Sequence, residues 1–109
     1  MAEKFKVIIT SEAQDDIRNS IRYIAHELAN PHAATALREE FRKVITSLET
    51  MPSRYKVVEE QPWGALGVRK VKAKNHYVYY ITDNKIKTVS IIAVIYVRME
   101  QQSQVNERT

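Results

Sequence analysis

Residues 67–98, GVRKVKAKNHYVYYITDNKIKTVSIIAVIYVR, decide how this chain folds. Their apolar period is two. Residues 70–74 alternate lysines with Val71 and Ala73, Tyr77, Val78 and Tyr79 alternate aromatic and apolar positions, and residues 89–97 are a nearly continuous β-branched run. Alternation marks strands with two unlike faces, whereas an unbroken run of valine and isoleucine marks a strand buried on both, at the centre of a sheet. Asp83, Asn84 and Lys85 supply a tight hairpin signal between the second and third of these strands.

Toward the N-terminus the period changes. Residues 54–66 read as an irregular connector with a turn at Pro62, Trp63 and Gly64, and Met51, Pro52 and Ser53 break a preceding helix. That helix carries Ala34, Leu37, Phe41, Val44, Ile45 and Leu48 as one apolar stripe, with Asn30 as its N-cap and Pro31 at its first position, where a missing N–H is harmless. Before it, Ile17, Ile21, Ile24 and Leu28 recur at helical spacing and predict a helix over residues 12–29. Ser11 and Gln14 have capping-box spacing at its start, and Glu12, Asp15 and Asp16 place negative charge near its positive end. Residues 5–10 read as a first strand. So short a link between the helices predicts an antiparallel hairpin, and each helix needs the sheet to cover its stripe. The expected fold is α+β, in the order β-α-α-β-β-β: a helical hairpin packed on one face of a small, twisted, mostly antiparallel four-stranded sheet.

With 109 residues, one domain with one modest core is expected over residues 1–100, followed by a polar tail over 101–109 that frays in isolation. The absence of cysteine excludes disulfides and thiolate metal sites. Two glycines, Gly64 and Gly67, leave no phosphate-cradling loop, so no cofactor is expected. Residues 1–10 hold too short an apolar run for a secretory leader, and no stretch approaches the roughly 18–20 apolar residues of a membrane span. A cytoplasmic protein away from the membrane is the expectation.

Charge is uneven. Residues 1–53 hold 7 Lys/Arg against 8 Asp/Glu, whereas residues 54–98 hold 9 against 3. A basic sheet half interleaved with tyrosine suits a polyanion or an acidic protein better than a small neutral metabolite. Lys70, Lys72 and Lys74 share one parity with Val68, opposite Arg69, Val71 and Ala73. Alternate cations on a strand lie roughly 6–7 Å apart, close to phosphate spacing, though exposed strand lysines also serve simply to block edge pairing. Tyr77 and Tyr79 point one way, His76, Val78 and Tyr80 the other; tyrosines so placed either stack on bases or fill a core, and at least one of Tyr79 and Tyr80 is expected in the core. His76 has the chemistry of a general acid–base, but no second residue builds a catalytic pair around it, and no spacing links it with His26 and His32 as metal ligands. Arg98 closes the last strand, where a guanidinium grips phosphate or carboxylate bidentately or simply meets solvent.

In their order and spacing, VIITSEA at 7–13, Asp15, Asp16 and Ile17, Tyr23 and Ile24, NPHAA at 30–34, GVRK at 67–70, NHYVYY at 75–80 and AVIYVRME at 93–100 resemble the RelE/ParE superfamily of toxins from type II toxin–antitoxin modules. The resemblance covers most of the chain. It implies a toxin neutralised by a cognate antitoxin in a hetero-oligomer, and one of two mechanisms. RelE-like members cleave mRNA in the ribosomal A site; ParE-like members poison DNA gyrase without being nucleases. On the first reading the catalytic groups are Arg98, Lys70 and Lys72 as charge stabilisers, with His76 or Tyr77 as proton carriers. Arg69, Lys74 and Tyr96 are then target-binding. Tyr77 stands where the RelE-like pattern has an arginine, and residues 99–109 lack the Tyr or His that follows its last arginine. The ParE-like reading is therefore preferred, with the mRNA endonuclease as the alternative and a non-toxic nucleic-acid-binding module as a third.

Overall fold

A computed structural model describes residues 4–97; Arg98 and the polar tail lie outside them. Strand β1 (Lys6–Ile9), helix α1 (Ser11–Arg22), helix α2 (Pro31–Ser47) and strands β2 (Arg69–Ala73), β3 (His76–Asp83) and β4 (Thr88–Tyr96) follow in the expected order. The sheet runs β1-β4-β3-β2. β1 lies parallel to β4, and the β4–β3 and β3–β2 pairs are antiparallel. The β-branched run is indeed central.

One layer of core joins the helices to the sheet. Ala13, Leu37, Phe41, Val44 and Leu48 meet Val71, Ala73, Val78, Tyr80, Val89, Ile91 and Val94, all buried. The parities hold: Val78 and Tyr80 face the helices, while Tyr79 faces away with Val68. Tyr79 and Tyr80 are both core residues. The Tyr80 hydroxyl donates to the Pro52 carbonyl at 2.6 Å, pinning the short 3₁₀ turn Pro52–Arg54 that follows α2.

Five local expectations are corrected. The α1 cap is Thr10, whose hydroxyl accepts from the Ala13 N–H at 3.2 Å; Ser11 donates instead to Glu12. Thr10 has the extended backbone a cap requires, while Ser11 is already helical. Helix α1 does not run unbroken to residue 29. It passes into a π-helical turn, Tyr23–Glu27, and Ala29 closes the end at φ 48°, a left-handed conformation usually left to glycine. The wider turn rotates the apolar stripe out of phase, so Leu28 is 56% exposed. Lys74 is not a strand residue: it sits at φ 54° in the two-residue turn joining Ala73 to His76. The next hairpin is looser than expected, because Asp83 accepts from the Lys85 and Ile86 N–H groups and the loop extends to Lys87 before β4 resumes.

The fifth concerns the connector, which is not merely irregular. Val57 bridges Arg69, the Val58 N–H donates to the Val68 carbonyl, and the segment folds over the β2–β3 half of the face away from the helices. Gly64 permits this, since a Cβ there would lie 2.7 Å from the Val58 carbonyl oxygen. That face is thus only partly open.

β4 also carries a bulge. Tyr79 pairs with Ala93, but Tyr80 pairs with Ile91, so Ile92 is an extra residue. As a result Ile91 and Val94 both face the helices, while Ile92 and Ala93 both face away. The Val94 N–H donates to the Asp16 carboxylate at 2.9 Å, tying α1 to the sheet at this irregularity.

Candidate functional site

The face of the sheet turned away from the helices holds Lys70, Lys72 and Tyr77. Strand register sets Lys70 beside Tyr79 and Lys72 beside Tyr77. The Lys70 ammonium lies 4.3 Å from the Tyr77 ring centroid and 3.9 Å from a Glu60 carboxylate oxygen contributed by the connector. Its charge is partly compensated. Lys72 is exposed. Trp63, also from the connector, packs against the buried Tyr79 ring with centroids 4.7 Å apart and planes tilted by 59°. Among the described residues no element beyond the connector covers the face, and register aligns Ile8, Ser90 and Ile81 across it, beside Ile92 and Ile95. Ile8 is 42% exposed and Ile81 36%. This surface is an apolar belt edged by lysine, not a uniformly cationic plane.

The other expected site residues lie elsewhere. Arg69 has the opposite parity and donates to the Tyr55 carbonyl. Nearby, burial pushes the Tyr80 phenol up to about 12 despite the lowering effect of the Arg69 charge, so Tyr80 is a neutral hydrogen-bond donor. Lys74 is exposed in its turn. Tyr96 and His76 pair across β4 and β3 on the helix side, their rings 5.3 Å apart edge to face.

His76 is therefore on the far side of the sheet from Lys70, Lys72 and Tyr77. It is 4% exposed, edge-on to Phe41 at 5.4 Å, and its Nδ1 has no hydrogen-bond partner among the described residues. Tyr96 and His76 form the floor of a groove of 730 Å³ whose rim includes Tyr23 and Leu28. The exposure of Leu28 follows from the π-helical turn, which the apolar spacing alone gave no means to foresee, whereas Tyr23 lies off the apolar stripe at ordinary helical spacing. The pairing of Glu60 with Lys70 was likewise hidden, because it depends on how the connector folds back. Among the described residues no cluster of three or more His, Asp or Glu could hold a metal ion, and no helix is long and apolar enough to cross a membrane.

Desolvation holds the His76 imidazole below its ordinary value near 6.5. Protonation is thus easier in the unfolded chain, and stability should fall as pH drops through 6.5 toward the depressed folded value, while above that window the contribution of the neutral ring is complete. Thermal melts between neutral and mildly acidic pH are expected to fall more steeply for the natural chain than for His76→Leu. Parallel slopes would exclude His76 as the source.

Several solved structures share the fold, among them three from toxin–antitoxin systems. The chromosomal ParDE toxin–antitoxin system of P. aeruginosa aligns with a TM-score of 0.70 at 14% identity, covering 86% of this chain and 97% of that one. The RelBE2 toxin–antitoxin complex of Mycobacterium tuberculosis gives 0.60 at 18% identity, covering 86% and 92%. The archaeal RelE–RelB complex of Pyrococcus horikoshii OT3 gives 0.58 at 16%, covering 86% and 96%. No curated protein sequence matches the chain significantly. The family model described as the ParE toxin of the type II toxin–antitoxin system, parDE, matches residues 7–101. Spanning nearly the whole domain, that match makes this chain a member of the ParE toxin family within the RelE/ParE superfamily, the toxin component of a type II toxin–antitoxin system.

Proposed function

We propose that this toxin acts on DNA gyrase by protein–protein contact, trapping cleaved DNA complexes, and is held inactive in the cytoplasm by a cognate antitoxin. The observation that carries this reading is the separation of His76 from the lysine face. In-line attack by a 2′-hydroxyl needs both charge stabilisation and proton transfer at one place. Here the imidazole is buried on the helix side with its pKa lowered, while Lys70 and Lys72 are on the other side with Tyr77, and a phenol is a weak base near neutral pH. The apolar belt of Ile8, Ile81, Ile92 and Ile95 suits a protein surface better than a phosphodiester chain. The ParE family match and the ParDE neighbour point the same way.

The mRNA-endonuclease alternative keeps one supporting observation, the shared face of Lys70, Lys72 and Tyr77, to which Arg98 would be added as a further charge stabiliser. One pair of assays separates the two. Purified toxin incubated with gyrase, ATP and supercoiled plasmid is expected to accumulate linear DNA after detergent and protease treatment. Primer extension on mRNA from induced cells is expected to show no codon-phased cuts. Codon-phased cuts abolished by Arg98→Ala in a folded protein, with no linear plasmid, would replace the gyrase reading by the nuclease one.

A further inference from the structure

The groove over His76 and Tyr96 has no part in the gyrase reading. Its volume of 730 Å³ is that of a small-molecule site, for which about 300–1,000 Å³ is usual. The end of α1 and the π-helical turn wall it, and the start of β3 and the end of β4 floor it. Tyr23, Ile24, Leu28 and Tyr96 supply an apolar body. Asn19, Ser20, Asn75 and His76 add a few polar groups, the mixture that holds and orients small ligands. The floor is set by the sheet and needs no rearrangement: His76 pairs with Tyr96 in register, and the Val97 N–H donates to the Asn75 carbonyl at 2.8 Å.

Charge and hydrogen bonding narrow what fits. No Lys, Arg, Asp or Glu lines the groove, in contrast to a furrow of 520 Å³ between α1 and α2 that is rimmed by Arg18, Arg22 and Arg38. An ion would lose its water here without gaining a counter-charge, so the complement is neutral. His76 lines the groove at 4% exposure, and its Nδ1 is buried with no partner among the described residues. No hydrogen bond at Nδ1 therefore fixes which ring nitrogen carries the proton, and a neutral imidazole answers either a donor or an acceptor. Together with the carboxamides of Asn19 and Asn75, such a ring matches a ligand edge on which an N–H stands beside a C=O. The His76 ring already stands edge-on to Phe41 at 5.4 Å and to Tyr96 at 5.3 Å, and a flat ligand beside Tyr96 would extend this aromatic row toward Tyr23. We infer that the groove binds a small, neutral, flat heteroaromatic molecule with a lactam-type N–H and C=O edge. The site is on the helix side of the sheet, away from Lys70 and Lys72, and does not depend on gyrase being the target.

Heteronuclear NMR titration of the full chain tests it with three probes: carbostyril, a bicyclic lactam; N-methylcarbostyril, which lacks the N–H; and quinaldate, an anion of similar shape. Carbostyril is expected to give saturable shifts at the rings of Tyr23, His76 and Tyr96, and to bind about fivefold or more tighter than either analogue. His76→Phe keeps a ring but removes both nitrogens, and should reduce the preference for carbostyril over its methylated form to less than about twofold. Should that buried variant fail to fold, Tyr23→Ala removes a rim residue that is 55% exposed, and should weaken carbostyril by about threefold or more. Lys43→Ala, exposed on α2, should change it by less than about twofold. Equal affinity for the three probes, shifts centred away from the groove, or no saturation would overturn the proposal. So would an undiminished preference in folded His76→Phe, or unchanged binding in Tyr23→Ala. Shifts of the groove rings on dilution alone would make a second copy the occupant, and cross-peaks from residues 98–109 to those rings would make it this chain's own end; either result also overturns the proposal. None of these readouts involves the plasmid assay, so the two readings fail independently.

Discussion

Phe41→Ala is expected to lower folding stability by about 3–5 kcal/mol, the range for truncating a fully buried aromatic ring. Phe41 is 2% exposed at the middle of α2, packed on the sheet layer and edge-on to His76. The cavity cannot close easily. On one side is a sheet held by ladder hydrogen bonds, on the other a helix fixed at its start by the Asn30 cap and followed by the Tyr80–Pro52 hydrogen bond. Domains of this kind have about 5–15 kcal/mol in total, so the variant should be marginal at growth temperature. In urea the midpoint should drop with little change in slope, whereas Phe41→Leu, closer in volume, should cost less than about 1.5 kcal/mol. A loss below about 1 kcal/mol for the alanine variant would mean the helix–sheet layer is not packed as described. Lost toxicity in this variant would report an unfolded protein, not a missing contact with the target.

Tyr79→Ala should be nearly as costly, again about 3–5 kcal/mol by the same cavity argument, but its consequences fall on the other side of the sheet. Tyr79 is 1% exposed and anchors the cluster that holds the connector down, with Val58, Val68 and the Trp63 ring. Trp63 is the sole tryptophan, so its emission reads that cluster directly. Truncation should shift the emission to the red as the indole becomes hydrated, while Tyr79→Phe, which keeps the ring, should not. Removing the exposed Lys72 charge should change stability by less than about 0.5 kcal/mol. A toxicity defect in Lys72→Ala would therefore concern the target surface, whereas one in Tyr79→Ala would concern the architecture behind it. Unshifted emission with little lost stability would show that the connector is held by something other than Tyr79.

The part of the candidate site that could be read in the chain was the strand parity. Lys70, Lys72 and Tyr77 lie on one face and His76 on the other because side chains alternate along a strand, whatever the strand packs against. Whether His76 would be an exposed base or a core residue was not legible, since that depends on Phe41, thirty-five positions earlier, lying over it. The bulge at Ile92 was hidden for a related reason. In a run apolar on both faces, slipping one residue costs no change of pattern, so only pairing with β3 and the Asp16 carboxylate reveals it. The furrow rimmed by Arg18, Arg22 and Arg38 was hidden because counts of charge along the chain average over faces.

The amino-acid sequence by itself determined the order of elements, the helical stripe from Ala34 to Leu48, the Asn30 cap with Pro31, and the central place of the last strand. Each of these is written in short-range periodicity or in the chemistry of a single turn. Only the tertiary structure decided that the connector covers half of the open face, that His76 sinks beneath Phe41, and that three arginines from two helices line one furrow. Those outcomes rest on contacts between residues far apart in the chain, and their energies depend on which surfaces are left to cover once the local elements have formed.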